Sequence, residues 1–550
     1  MKKIIELRTY LAYSLVVIAI ALVLGGVCVE NTGLPAGEMA AQWDWFAKTG
    51  ILFTVSVYLA FIVYSKERNL SVDFYLAVVW VLILLGAWEA FVGIRQLYGF
   101  SYSNHSLYKM TGSFFNPGPY SGYLAMVFPL CLSEWLRLKE KSKRMWFETG
   151  QLYIAGSTMV LILCVLPAGM SRSAWLATFL SSLWVWGMHC GWLSKCKRLW
   201  KEHPKRMVGL CVLALFCALL AMGGTFYLKK DSANGRLFMW KISCKAIAQQ
   251  PITGYGQGRF AEAYGTAQEA YFAKGGYSEQ EELVAGSPEY AFNEYLQLAV
   301  EHGIPVLLCV LLFIGFCLWR GIAQGRVGTC SAVFSLLVFA FSSYPMQLPI
   351  FIITFAFLLA ACVVGRSRIA LGVFALVIGL AATVYYRQNG YEASNEWARS
   401  RILYHSGAYD GAKAQYTKLY PELKTRPTFL FEYGHCLHKL NEYEASNKIL
   451  KEAATRSCDP MIFNIIAKNE QLQGRYASAE GWLKRSVNLL PGRIYPYYLL
   501  AKLYAEPTFY QPEKIKQMAT VVLTKEPKVQ STAVKEMREE MKKLLKDVGI

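Results

Sequence analysis

The chain has 550 residues, 54% hydrophobic and only 17% charged, against about a quarter charged in a soluble protein. Its mean hydropathy is +0.27. The formal net charge of +19 does not indicate a nucleic-acid partner, because the basic residues of the apolar part concentrate in short loops between apolar runs.

Apolar runs long enough to cross a bilayer (about 17–25 residues) are predicted at Tyr10–Cys28, Thr49–Tyr64, Val72–Ile94, Pro119–Leu136, Gln151–Ala168 and Arg172–Leu193. Further runs fall at Met207–Leu228, Asn293–Trp319, Gly328–Tyr344, Leu348–Val364 and Ile369–Tyr386. The first is too long for a signal peptide's apolar segment and reads as a retained helix. The expected fold class is all-α: a polytopic transmembrane bundle of about eleven helices, residues 1–386, followed by a soluble domain, residues 387–550. The cysteines of the runs (Cys131, Cys164, Cys211, Cys217, Cys309, Cys362) show no metal-ligand spacing and read as small buried hydrophobes. Cys436 and Cys458 lie in the soluble part, and spacing alone does not decide whether they pair.

Every second loop is basic. Lys2, Lys3 and Arg8 precede the first run; Lys66 and Arg68 follow the second; Arg137, Lys139, Lys141, Lys143 and Arg144 follow the fourth. Lys195 to Arg206 follow the sixth, Arg320 and Arg326 the eighth, Arg366 and Arg368 the tenth. The N-terminus is therefore expected in the cytoplasm. The long polar insert at residues 229–292 and the soluble tail are expected outside. Inserts of this length usually carry function.

The tail repeats. Gly407-Ala408-Tyr409-Asp410-Gly411-Ala412 is echoed by Asn441-Glu442-Tyr443-Glu444-Ala445-Ser446 and Gly474-Arg475-Tyr476-Ala477-Ser478-Ala479. This resembles the tetratricopeptide repeat, with a period of about 34 residues. It implies a helical solenoid that binds a protein partner or an acceptor. A weaker unit is expected over Tyr497–Leu523 and a capping helix over Val534–Leu545. His405, His435 and His438 read as surface or packing residues.

On the outward side of a bacterial envelope there is no ATP. Thr253-Gly254-Tyr255-Gly256-Gln257-Gly258 lacks the Lys and the strand–turn–helix setting of a phosphate loop, so a tight turn is the alternative. Group transfer here needs a donor that is already activated, such as a lipid diphosphate, and an arginine fork suits its oxygens. Arg172, between the fifth and sixth runs, and Arg236, after the seventh, fit that role; an interfacial anchor is the plain alternative for each. Asn293, Gln297 and Glu301 recur at i, i+4 and i+8 on one helix face and are expected to line a polar cavity or a structural hydrogen-bond network. The loop before Pro119, with His105, Lys109 and the turn at Asn116, is a candidate second wall.

Several of these segments together resemble the O-antigen ligase family: Thr111 to Ala125; Ser171-Arg172-Ser173-Ala174-Trp175-Leu176; Arg236 to Trp240 with Gln250 to Gly256; and Asn293 to Gln297 with Glu301-His302-Gly303. The resemblance implies a GT-C-like, metal-independent glycosyltransferase of the inner membrane, without a cofactor. It would move a glycan from undecaprenyl diphosphate to an acceptor hydroxyl, on lipid A–core, protein or growing polysaccharide, in the periplasm. It also implies that Arg172 and Arg236 bind the diphosphate. The family commonly has a histidine base just before the Asn of the loop-closing motif, where this chain has Phe292. Glu294, Glu289 and His105 are the candidate substitutes. The alternative classes are a non-catalytic polysaccharide flippase or export component, and a membrane-anchored assembly scaffold.

Overall fold

A computed structural model describes residues 2–30, 39–63, 73–206, 208–209, 230–365, 367–388, 390–527 and 530–547. Every regular element among them is helical. The helices of the first part are α1 (Lys2–Leu24), α2 (Ala40–Val63), α3 (Phe74–Leu97), α4 (Pro117–Lys139), α5 (Trp146–Val165), α6 (Arg172–His189) and α7 (Trp192–Glu202). The insert supplies α8 (Lys230–Gln249), α9 (Phe260–Ala273) and α10 (Glu279–Val284). Then come α11 (Glu294–Ala323), α12 (Val327–Ala340), α13 (Pro349–Val363) and α14 (Arg368–Gln388). The chain forms two compact units: Met1–Thr225, Phe292–Glu294 and Leu308–Tyr391; and Phe226–Ala291, Tyr295–Leu307 and Glu392–Ile550.

Each predicted apolar run is carried by a helix, except Met207–Leu228, which falls largely outside the described residues. Among the described residues, α2, α3, α5, α11 and the helix starting at Arg368 are long and apolar enough to cross a membrane, and Tyr13–Cys28, Val327–Ala340 and Pro349–Val363 are shorter apolar helices. Their outer faces carry large exposed side chains such as Leu59, Ile62, Trp88, Phe91, Leu312, Phe313, Trp319, Val377 and Leu380. Surfaces of that kind need an apolar surrounding. The bundle has the character of a multi-pass membrane protein.

In the first unit α4 is the central helix. Tyr120 to Cys131 are all buried, and small residues bring its neighbours close. A Cβ on Gly122 would lie 2.3 Å from the Phe339 ring of α12, and one on Gly86 of α3 would lie 2.5 Å from Val127. Small residues at such crossings replace the hydrophobic drive that lipid does not supply. Asn116 starts α4, its Oδ1 accepting the Gly118 amide at 2.9 Å, with Pro117 at the first helical position. Helix α2 begins at Ala40 rather than at the expected Thr49. Its extra turns are held by Trp43, whose ring stacks on Tyr385 of α14 with centroids 4.0 Å apart.

Two polar residues of α3 organise the loop before α4. Gln96 Oε1 accepts the amides of Thr111 at 2.9 Å and Gly112 at 2.7 Å. Its Nε2 donates to the carbonyls of Tyr102 at 3.1 Å and Gly112 at 2.9 Å. Glu89, fully buried, accepts the Ser113 hydroxyl at 2.8 Å and the Ser113 amide at 3.1 Å. Gln96→Leu would strand several backbone groups at once. The expected cost is about 3–4 kcal/mol, read as a lower thermal midpoint and faster proteolytic cleavage between Tyr98 and Asn116.

The C-terminal part of the second unit is made of helix pairs. They are α15 (Tyr391–His405) with α16 (Tyr409–Leu423), α17 (Pro427–Lys439) with α18 (Tyr443–Ala454), and α19 (Pro460–Leu472) with α20 (Tyr476–Leu489). Then follow α21 (Ile494–Tyr504), α22 (Pro512–Thr524) and α23 (Thr532–Asp547). Gly407, Asn441 and Gly474 have positive φ at the three successive turns, where glycine or asparagine closes a helix at low cost. Tyr409, Tyr443 and Tyr476 each open a second helix, and Pro427 and Pro460 each open a first one. Cys436 and Cys458 are buried free thiols. His435 accepts or donates at 2.7 Å with the Tyr404 hydroxyl, and burial pulls it down to about 4; His438 meets Asn469 at 2.6 Å. His405 is exposed.

Candidate functional site

Helix α8 runs through Asn234-Gly235 without a break, although both are poor helix formers. Phe238, Ile242 and Ala246 explain this: they form a buried i, i+4, i+8 stripe. Arg236 lies within this helix and is half-buried. Arg172 is the first residue of α6, after Ser171, and is half-buried too. The turn leading to it is tight. Met170 has φ 47°, and a Cβ on Gly169 would lie 2.1 Å from the Ser121 hydroxyl of α4. The first turn of α6 has no acidic residue, so a cation stands at the positive end of a helix dipole. An anion bound there would be favoured by both.

The end of the insert and the start of α11 are tied by polar contacts. Within the first unit, Phe292 has φ 48° and its ring meets Tyr344 edge-on, centroids 5.0 Å apart. Asn293 is buried. Glu294 accepts the Met346 amide at 2.7 Å and Gln347 Nε2 at 2.9 Å, so both its oxygens anchor the turn Pro345–Gln347. Within the second unit, Gln297 Oε1 accepts the Ala291 amide at 3.0 Å and its Nε2 donates to Glu301 at 3.3 Å. Gln297 and Glu301 therefore do share one face, and that face is occupied by protein. The Glu301 backbone also meets the insert, its carbonyl accepting the Gly256 amide.

That last contact belongs to a clasp. Gly303 is non-helical, with φ 81° and ψ 167°, and Pro305 follows it inside α11. Ile304 N donates to the Pro251 carbonyl at 2.8 Å instead of continuing the helix. The Val300 carbonyl, left over, accepts the Tyr255 amide at 2.9 Å, and the Glu301 carbonyl, which Pro305 cannot serve, accepts the Gly256 amide at 2.8 Å. Each backbone group freed by the break is met by the insert. A Cβ on Gly254, φ 63°, would lie 2.5 Å from the Glu301 carbonyl. The Thr253–Gly258 segment is thus the tight-turn alternative: its amides at Tyr255 and Gly256 serve a helix rather than a phosphate.

The candidate bases differ in setting. His105 Nδ1 accepts the Leu107 amide at 3.0 Å. That contact engages one of its two ring nitrogens within its own loop. Glu289 is exposed, and partial desolvation raises its carboxyl above the usual range. Asn116 is spent on capping α4. Glu89 and Gln96 were not singled out in the sequence, although an acidic residue inside an apolar run is itself a signal.

A family model described as O-Antigen ligase matches residues 157–311, less than half of the chain. That stretch contains Arg172, Arg236, Glu289, Asn293, Glu294, Gln297 and Glu301; His105 and Asn116 lie outside it. No curated protein matches the chain. Over this stretch the chain is similar to the O-antigen ligases, a likeness that supports glycan transfer by a multi-pass, glycosyltransferase-like membrane protein.

Proposed function

We propose that this protein transfers a glycan from an undecaprenyl-diphosphate-linked donor to an acceptor hydroxyl on the periplasmic side of the inner membrane, without a metal or other cofactor. The observation that carries the reading is the family match over 157–311, inside which fall both arginines that a diphosphate donor requires. In the transfer, the acceptor oxygen bonds to the anomeric carbon, the bond from that carbon to the diphosphate oxygen breaks, and undecaprenyl diphosphate leaves. Arg172 and Arg236 bind the diphosphate and balance the charge that builds on the leaving oxygen. The alternation of basic loops supports the orientation. Residues 1–386 carry the chemistry, and 387–550 form a tetratricopeptide-like solenoid whose outer face suits an acceptor or a protein partner. The acceptor class, lipid A–core, protein or growing polysaccharide, is read from the product.

Glu289 takes the acceptor proton in this scheme, because it is accessible and its carboxyl is raised. Glu289→Gln is expected to slow transfer about tenfold to a hundredfold, the low end of base catalysis, since a diphosphate leaves readily. Phe292→His should restore part of that loss in the Glu289→Gln background. Position 292 has positive φ, which His tolerates better than Phe, so the fold should accept it. Rates of purified protein with lipid-linked glycan and acceptor check both. Unchanged rates in Glu289→Gln would remove this residue from the reaction.

The test of the whole reading is reconstitution in lipid nanodiscs with the donor and each acceptor class. Glycosylated acceptor with release of undecaprenyl diphosphate supports it. Movement of the donor across a vesicle membrane with no new glycosidic bond would instead make the protein an export component.

A further inference from the structure

The insert and the repeats of the second unit share one hydrophobic core. Phe260, Tyr264 and Phe272 of α9 belong to the same buried cluster as Phe429, Ile462, Ile466 and Leu489 of the repeats. The contact is also specific. A Cβ on Gly265 would lie 2.6 Å from the Cys458 Cβ, so only glycine lets α9 approach the turn between α18 and α19 this closely. Gln268, fully buried, donates to the carbonyls of Leu489 at 2.7 Å and Gly286 at 3.0 Å, and accepts the Tyr264 hydroxyl at 2.6 Å. Arg485 lies over the rings of Phe463 and Trp482 and grips both carboxylate oxygens of Glu269 at 3.0–3.2 Å. Farther along, Lys525 pairs with Glu282, and the Cys458 thiol donates to the Pro288 carbonyl at 3.5 Å.

We infer that the ligand of the repeat tail is the insert of its own chain: the tail is a clamp that keeps the 230–291 segment folded, rather than only an arm that recruits other molecules. A stacked-repeat surface ordinarily binds a separate partner. Here the surface of α18–α20 is filled by α9, with a glycine, a buried amide and a stacked ion pair matched to it. The apolar side of α9 is covered by the repeats, so loss of the clamp exposes it. Arg236 and Glu289 lie on the clamped segment, which ties the tail to the transfer reaction if the proposed function holds. The clamp itself does not depend on that reading.

Cys458 reports the docked state. It is buried at the seam, and burial pushes its thiol to about 12, which suppresses alkylation. Cys244 on α8 is exposed and serves as the internal control. The full chain in detergent is pulsed with a maleimide, and each cysteine peptide is followed by mass spectrometry; no activity is needed. In the unmodified protein Cys458 should label at least roughly a hundredfold more slowly than Cys244. Gly265→Leu should raise its rate to near that of Cys244. Glu269→Arg and Arg485→Glu should each raise it roughly fivefold, and the double reversal should restore protection. Labelling of Cys458 at the Cys244 rate in the unmodified protein overturns the inference. So does unchanged protection in both single reversals, which decides the matter if Gly265→Leu does not fold. If clamping is verified while transfer is absent in every form, the clamp stands and the proposed function falls.

Discussion

Arg172→Ala and Arg236→Ala are each expected to lower glycan transfer by about 10²–10³-fold, the loss typical of removing one group that stabilises developing charge. For Arg172 the argument starts from its place. It is the first residue of α6, whose first turn holds no carboxylate, where the dipole alone disfavours a cation. A bound diphosphate reverses that balance, since its oxygens are attracted to the guanidinium and to the positive end of the helix together. Lysine at either position keeps the charge but loses the planar fork, so Arg→Lys should recover only part of the rate. The effect should fall on kcat more than on KM, because charge on the leaving oxygen is greatest in the transition state. Initial rates in nanodiscs, with thermal midpoints measured beside them, separate this from a folding defect. Wild-type rates in both alanine variants would refute the diphosphate role.

The parts of this molecule that were legible in its sequence are those set by local chemistry. The apolar run from Pro119 marks α4 to within two residues of its start at Pro117. The tail's period was visible because Gly407, Asn441 and Gly474 must occupy left-handed turns, and because tyrosine opens each following helix. The i, i+4 relation of Gln297 and Glu301 was legible for the same reason. What was not legible depends on partners distant in the chain. Gln96 reads as one polar residue at the end of an apolar run, and only the fold shows it serving the backbone of Thr111 and Gly112. Asn234 and Gly235 are poor helix formers, yet the stripe of Phe238, Ile242 and Ala246 finds a core and overrides them. The insert suggests a free outer loop, because the apolar positions of α9 only gain meaning once repeats that begin more than a hundred residues later cover them. His105 and Asn116 were singled out for residue type, and the hydrogen bonds that occupy them come from their own loop.

Gly303→Ala should be the most destabilising single-methyl change in the second unit. Its backbone, φ 81° and ψ 167°, lies in a region open essentially to glycine, and forcing alanine there costs about 1–3 kcal/mol. Space adds to this, since the new Cβ would lie 2.0 Å from the Ile252 carbonyl oxygen and 2.5 Å from its carbon. Backbone on both sides must then move apart. Three hydrogen bonds join them: Ile304 to Pro251, Tyr255 to Val300 and Gly256 to Glu301. For the Glu301 carbonyl no helical partner takes its place, because Pro305 lacks an N–H. Each lost bond costs about 1 kcal/mol, more where the group stays buried. The total is on the order of 4–6 kcal/mol, a large share of the 5–15 kcal/mol that holds an ordinary domain together. Hydrogen exchange at Tyr255, Gly256 and Ile304 should rise first, ahead of the repeats, and the thermal midpoint of the second unit should fall. Glu301→Gln, which keeps the backbone clasp and replaces only the side chain, should cost far less. Equal exchange at those three amides in Gly303→Ala and the parent chain would show that the clasp is not what closes the break in α11.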